Sequence, residues 1–240
     1  VPLLVGVSAC GVKEATGLSK IALEVSADAV VAIVPQYFPL AIRDVERYYR
    51  KLSAAISGKI PLILYHMPLI EKQKITPELV FKLAQDKVIS GIKATVLDVE
   101  FIAEIRKLLD MDYTIQCNLW TGTDFATVEC LKRDISISGA IIGSINLFPG
   151  YYSALFKAFS EKPRNTSRCD ALIKMNGLIS KLFQIELREV PSMIKEALNI
   201  AGLPFASSTA VSSPLPSVSD LNKAKTIEIL NELKERGIEP

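Results

Sequence analysis

The sequence predicts an α/β fold built on a parallel sheet, and three observations point there. Six continuous apolar runs recur between residues 2 and 143. The stretches between them carry helical periodicity. Successive runs start about 25 to 32 residues apart, the size of one βα unit when roughly 250 residues make eight of them. Runs that are apolar on both faces suit a parallel sheet covered by helices.

The strands are expected at PLLVGVSA (2–9), AVVAIV (29–34), PLILYH (61–66), VISGIK (88–93), YTIQCN (113–118) and GAIIG (139–143). Between the first two, Ala15, Leu18, Ile21, Ala22 and Val25 share one face of a helix over 13–25. In ITPELVFKLA, Thr76 is placed to cap a helix and Pro77 to open it. After residue 149 the alternation stops, and helices follow at about 150–161, 168–186 and 190–201. The Ser/Pro-rich stretch 206–220 reads as a surface connection. It leads into a last helix that begins near Ser217–Asp220 and stops at Gly237. The expected organisation is one domain, with six βα units in 1–149 and helices completing and extending it in 150–240.

Six units leave two architectures open. A doubly wound sheet binds nucleotides through a glycine-rich first turn, but Gly6 and Gly11 do not make GxGxxG and no GxxxxGK[ST] occurs. The alternative is a (β/α)8 barrel with a C-terminal helical extension and its first two βα units missing from the chain as given. The chain begins at Val1, inside an apolar run. At about 30 residues per unit, roughly 60 residues of such a barrel would stand before it, so a fragment or truncated product is expected.

Composition narrows the partners. The 240 residues are 49% hydrophobic and 22% charged, with mean hydropathy +0.28, enough for a large core and an oligomer interface. A net charge of +2 without a block of like charges argues against a nucleic-acid or anionic-membrane surface. No run approaches the roughly 18 apolar residues of a membrane span, and residues 1–20 lack a signal-peptide pattern. Cys10, Cys117, Cys130 and Cys169 form no CxxC pair, and His66 is the single histidine, so no metal is expected. Unpaired cysteines fit a reducing cytoplasm. Cys117, inside a strand-like run, reads as a small core residue.

Chemistry is expected at two strand ends. Lys93 closes the apolar run VISGIK, and Tyr65 stands at the end of LILYH, 93 − 65 = 28 residues earlier. In neighbouring parallel strands, about 4.8 Å apart, both would stand at the C-terminal face where barrel enzymes keep their active sites. An amine there can attack a ketone while a phenol shuttles the protons. The bland alternatives are a snorkelling lysine and a packing tyrosine.

The residues GVSACGVKEA, SADAVVAIVPQYFP, IPLILYHMP and VISGIKAT carry a resemblance to the dihydrodipicolinate synthase/N-acetylneuraminate lyase family of class I aldolases. Tyr65 to Pro68 matches its Y-x-x-P motif, and Gly91 to Lys93 its G-[IV]-K motif. The resemblance implies that Lys93 forms a Schiff base with a 2-oxo acid, usually pyruvate, that Tyr65 is the proton shuttle, and that no cofactor is needed. It also implies that the Ile141 carbonyl helps hold pyruvate, and that Gly122 and Asp124 contact substrate hydroxyls. The simpler reading of Asp124 is a charge at a helix N-terminus. Tyr37 would reach across an interface of a homo-oligomer, a dimer or tetramer.

Four departures shape the expected activity. The family's Gly-Thr-Thr-Gly-Glu loop for the pyruvate carboxylate has no counterpart in the chain as given. Ile70 stands where the synthases carry an arginine, and Glu71, Lys72 and Gln73 replace a Thr-Gly or Ser-Gly turn. His66 stands where asparagine is common and reads as an ordinary hydrogen-bonded histidine. The expected function is a pyruvate-dependent lyase acting on a 2-oxo-3-deoxy sugar acid. The alternatives are a non-catalytic binding or regulatory homologue and a dihydrodipicolinate synthase-like enzyme.

Overall fold

A computed structural model describes residues 1–56, 58–71, 75–203 and 208–240. These residues divide into two units, Val1–Ile141 and Ile142–Pro240. The first alternates strands and helices: β1 (Leu4–Gly6), α1 (Val12–Glu24), β2 (Ala29–Ile33), α2 (Ile42–Ile56), β3 (Leu62–His66), α3 (Pro77–Gln85), β4 (Gly91–Ala94), α4 (Val99–Asp110), β5 (Asn118–Thr121), α5 (Asp124–Lys132) and β6 (Gly139–Ala140). The six strands pair in chain order, all parallel, as in the wall of a (β/α) barrel.

Side chains alternate across this sheet, as the two-residue period of a strand requires. Val30, Ala32, Leu62, Leu64, Ile92, Ala94 and Leu119 face the helices and share one core with Tyr49, Leu52, Leu83, Ile102 and Ile105. Ile33 and Ile63, also buried, lie outside that core on the other face, in the same alternation as Tyr65, Lys93 and Trp120. The helices begin at the C-terminal ends of the strands, and side-chain caps fix those starts. Thr76 Oγ1 accepts the Leu79 N–H at 3.3 Å, with Pro77 at the first helical position. Asp98 accepts the Glu100 N–H at 3.0 Å, and Thr123 the Ala126 N–H at 3.1 Å.

Two expectations fail in this unit. The run YTIQCN is not a strand except at its last residue; β5 begins there and runs Asn118–Thr121. Asp112 Oδ1 accepts the Thr114 N–H at 3.0 Å and the Thr114 hydroxyl at 2.6 Å, and the Ile115 N–H reaches the Asp112 carbonyl at 3.1 Å. That turn consumes the apolar alternation, and Cys117 is half-buried, packed at the edge of the core. Helix α1 buries Ala15, Ser19 and Ala22, while Leu18, Ile21 and Val25 are exposed. Ser19 can turn inward because its hydroxyl donates to the Ala15 carbonyl at 2.8 Å.

The second unit is helical: α6 (Pro149–Ser160), α7 (Thr166–Lys181), α8 (Val190–Ile200) and α9 (Asp220–Glu235), with one-turn 3₁₀ segments at Gly143–Asn146 and Leu187–Glu189. GAIIG is strand only at Gly139–Ala140; the chain enters the first 3₁₀ turn at Gly143. Ser219 caps α9, and Gly237, at φ +76, ends it as expected. The connection read at 206–220 has no helix or strand over 208–219; its residues 206 and 207 lie outside the described ones.

Candidate active site

Register sets the site. Ile33 pairs with Tyr65, Tyr65 with Lys93, Lys93 with Trp120 and Trp120 with Gly139, so these residues form one row across β2 to β6. Lys93 Nζ lies 4.1 Å from the centroid of the Tyr65 ring, within cation–π range. Both side chains are half-buried. The Tyr65 hydroxyl donates to Met67 Sδ at 3.2 Å. Among the described residues the contact recorded for the Lys93 amine is the one with the Tyr65 ring.

The hydrogen-bond ladder continues past the strand ends. The Thr95 N–H donates to the His66 carbonyl at 2.8 Å, Gly122 to Ala94 at 2.7 Å and Ile141 to Thr121 at 2.9 Å. Gly122 and Ile141 therefore stand at the C-terminal ends of β5 and β6, the end to which Tyr65 and Lys93 belong. Gly122 has a steric reason to be glycine, because a Cβ there would fall 1.9 Å from Thr95 Oγ1. Asp124 is the first residue of α5, next to the Thr123 cap, where a carboxylate also complements the helix dipole. Tyr37 follows β2 and is 79% exposed, edge-on to Phe38.

Three features escaped the sequence reading. Trp120 sits beside Lys93 with its indole laid across the sheet; a Cβ on Gly91 would fall 2.6 Å from Cζ3, and one on Gly139 3.5 Å from Cδ1. The glycines on the two strands that flank Trp120, Gly91 and Gly139, were the available signal. Thr95 follows Lys93 by two residues, and its buried hydroxyl has no hydrogen-bond partner among the described residues. Its signal was the two-residue period of GIKAT. Glu71, read as part of a changed turn, is buried and bonded to His66 Nδ1. That bond makes His66 the hydrogen-bonded histidine expected of it. A cavity of about 340 Å³ opens at this end of the unit, lined by His66, Leu69, Thr95, Val96, Leu97 and Phe101 among others. No group of three metal-ligating side chains occurs among the described residues.

The dihydrodipicolinate synthetase family model matches residues 1–233. The chain belongs to this family. A relative named "Probable 2-dehydro-3-deoxy-D-pentonate aldolase YjhH" from Escherichia coli K12 is 29% identical over the whole of this chain and 76% of its own. A 4-hydroxy-tetrahydrodipicolinate synthase of Geobacter sulfurreducens is 30% identical over 97% of this chain and 75% of its own. Among solved structures, the prophage protein YagE of E. coli K12, a family member in complex with pyruvate, superposes with TM-score 0.86 at 26% identity, covering 98% of this chain and 76% of that one. The fold of this dihydrodipicolinate synthetase family member is therefore that of its barrel relatives over the part it spans. No helix among its described residues is long and apolar enough to cross a membrane.

Proposed function

We propose that the protein is a pyruvate-dependent lyase of the Schiff-base type that cleaves a 2-oxo-3-deoxy sugar acid. The observation that carries this reading is the register pair Tyr65–Lys93, with the amine 4.1 Å from the phenol ring on the inner face of the sheet. The Lys93 amine attacks the C2 ketone. Tyr65 passes a proton to the resulting carbinolamine oxygen, which leaves as water and yields an iminium. Loss of the proton from the C4 hydroxyl then breaks the C3–C4 bond. The aldehyde departs, and the electron pair moves through C3 into the iminium nitrogen as an enamine. Protonation at C3 and hydrolysis of the imine release pyruvate and restore Lys93.

Ile70 favours a sugar acid over the synthase substrates, because an isoleucine cannot pair with a second carboxylate. Gly122 and Asp124 would contact the substrate hydroxyls and the Ile141 carbonyl the pyruvate moiety, and the YagE–pyruvate complex supports pyruvate as the three-carbon half. The six parallel strands are read as part of a (β/α)8 barrel, in keeping with the family relatives that superpose on the chain. The exposed Tyr37 and Phe38 support self-association; light scattering at several concentrations tests it, and a monomer throughout would reject it. The activity itself is tested by offering five- and six-carbon 2-dehydro-3-deoxy aldonic acids and following pyruvate release. Release abolished by Lys93→Ala supports the proposal. Retained binding without release would favour the non-catalytic homologue.

A further inference from the structure

A buried polar group stands immediately behind the Tyr65–Lys93 row, and the chemistry above does not use it. His66 and Glu71 are each 4% exposed. Glu71 Oε1 accepts the Met67 N–H at 3.0 Å and is also bonded to His66 Nδ1. The carboxylate thereby closes residues 66–71 into a ring. Met67, one member of that ring, carries the sulfur that accepts the Tyr65 hydroxyl at 3.2 Å. The His66 ring packs against Phe101 of α4, with centroids 4.9 Å apart. Tyr49 of α2 donates its hydroxyl to the Ala32 carbonyl at 2.9 Å. Burial holds the Tyr49 phenol well above its ordinary pKa; the Tyr48 phenol and the nearby Glu71 charge push the same way.

Burying a carboxylate is costly, and here one oxygen, Glu71 Oε2, has no hydrogen-bond partner among the described residues. An apolar side chain of similar volume would fill the space at lower cost. What it could not do is hold the Met67 amide and the His66 ring at once. We propose that Glu71 is a positioning residue: it locks the turn after β3 so that Met67 holds the Tyr65 hydroxyl, and the phenol stays beside Lys93. The proposal rests on the reading of Tyr65 as the proton shuttle.

A double-mutant cycle tests it, with kcat and KM for the retro-aldol reaction measured on Glu71→Ala, Tyr65→Phe and their combination, and thermal melting as the folding control. Glu71→Ala should lower kcat by about tenfold or more while KM stays within about threefold, because the loss falls on proton transfer. Glu71→Gln retains an oxygen for both donors and should stay within about threefold of the parent. Added to Tyr65→Phe, the Glu71→Ala change should cost little more, since both act through one group. Losses that multiply, or an unchanged kcat in Glu71→Ala, would overturn the positioning role alone. A Tyr65→Phe enzyme as fast as the parent would overturn the shuttle reading as well. If Glu71→Ala does not fold, Met67→Leu removes the sulfur acceptor at similar volume, and the same cycle with Tyr65→Phe decides on the same outcomes.

Discussion

Ala32, Leu64, Ile92 and Leu119 lie side by side on the helix-facing surface of the sheet, each at most 1% exposed. One residue further along the same strands, Ile33, Tyr65, Lys93 and Trp120 line the opposite surface. On the first surface any aliphatic side chain of the right volume would serve, because burial is non-directional and scales with area. On the second, an amine, a phenol and an indole are held in register, and no two could be exchanged without changing what the row can do. On the proposed function, stability and chemistry fall on alternate residues of the same strands, and substitutions on the two faces should separate them.

The largest effect expected is on the chemical face. Lys93→Ala should abolish turnover while leaving the melting temperature near that of the parent, because this half-buried side chain lies outside the packed core. Next, Tyr65→Phe keeps the ring against Lys93 but removes the hydroxyl, and kcat should fall by roughly 10²- to 10⁴-fold, the usual worth of a positioned acid–base group. A loss of only a few-fold would mean that another group moves the proton.

Leu64→Ala, on the helix-facing surface, should show the converse. The side chain is fully buried, so its truncation should cost about 2–5 kcal/mol in chemical denaturation, with kcat per folded molecule unchanged. A kcat that falls with stability would show that the two faces are coupled. Gly91→Ala probes the boundary between them. Its Cβ would fall 2.6 Å from the Trp120 ring and 2.7 Å from the Asn118 carbonyl, so about 1–3 kcal/mol of overpacking is expected. Trp120 fluorescence should shift with it.

The smallest effect concerns the thiols. Burial pushes Cys117 and Cys130 up to about 11, leaving them protonated at pH 8, whereas Cys10 is exposed. Brief alkylation at pH 8 should therefore label Cys10 first, with intact mass as the readout. Rapid labelling of Cys130 would mean that the helix-facing core opens readily.

The two faces also differed in how much the sequence disclosed. The helix-facing residues announced themselves by continuous apolar runs, and α3 by a threonine cap followed by proline. The Tyr65–Lys93 pair was legible because a spacing of one βα unit maps directly onto register in a parallel sheet. YTIQCN misled because apolar alternation cannot show that the Asp112 side chain will fold the same residues into a turn. In α1 the apolar count pointed to Leu18, Ile21 and Val25, yet a serine bonded to its own helix lies on the buried face instead. Glu71 was the least legible, since a carboxylate written into a turn looks like a surface residue until its partners, His66 and the Met67 amide, are placed around it.

Reductive trapping decides whether Lys93 is the amine that forms the Schiff base. The protein is incubated with pyruvate, reduced with borohydride, digested, and each lysine-containing peptide weighed. One reduced pyruvate adduct per chain is expected, on the peptide that carries Lys93, and none in Lys93→Ala. No adduct at all, or an adduct on a different lysine with Lys93 unmodified, would contradict it.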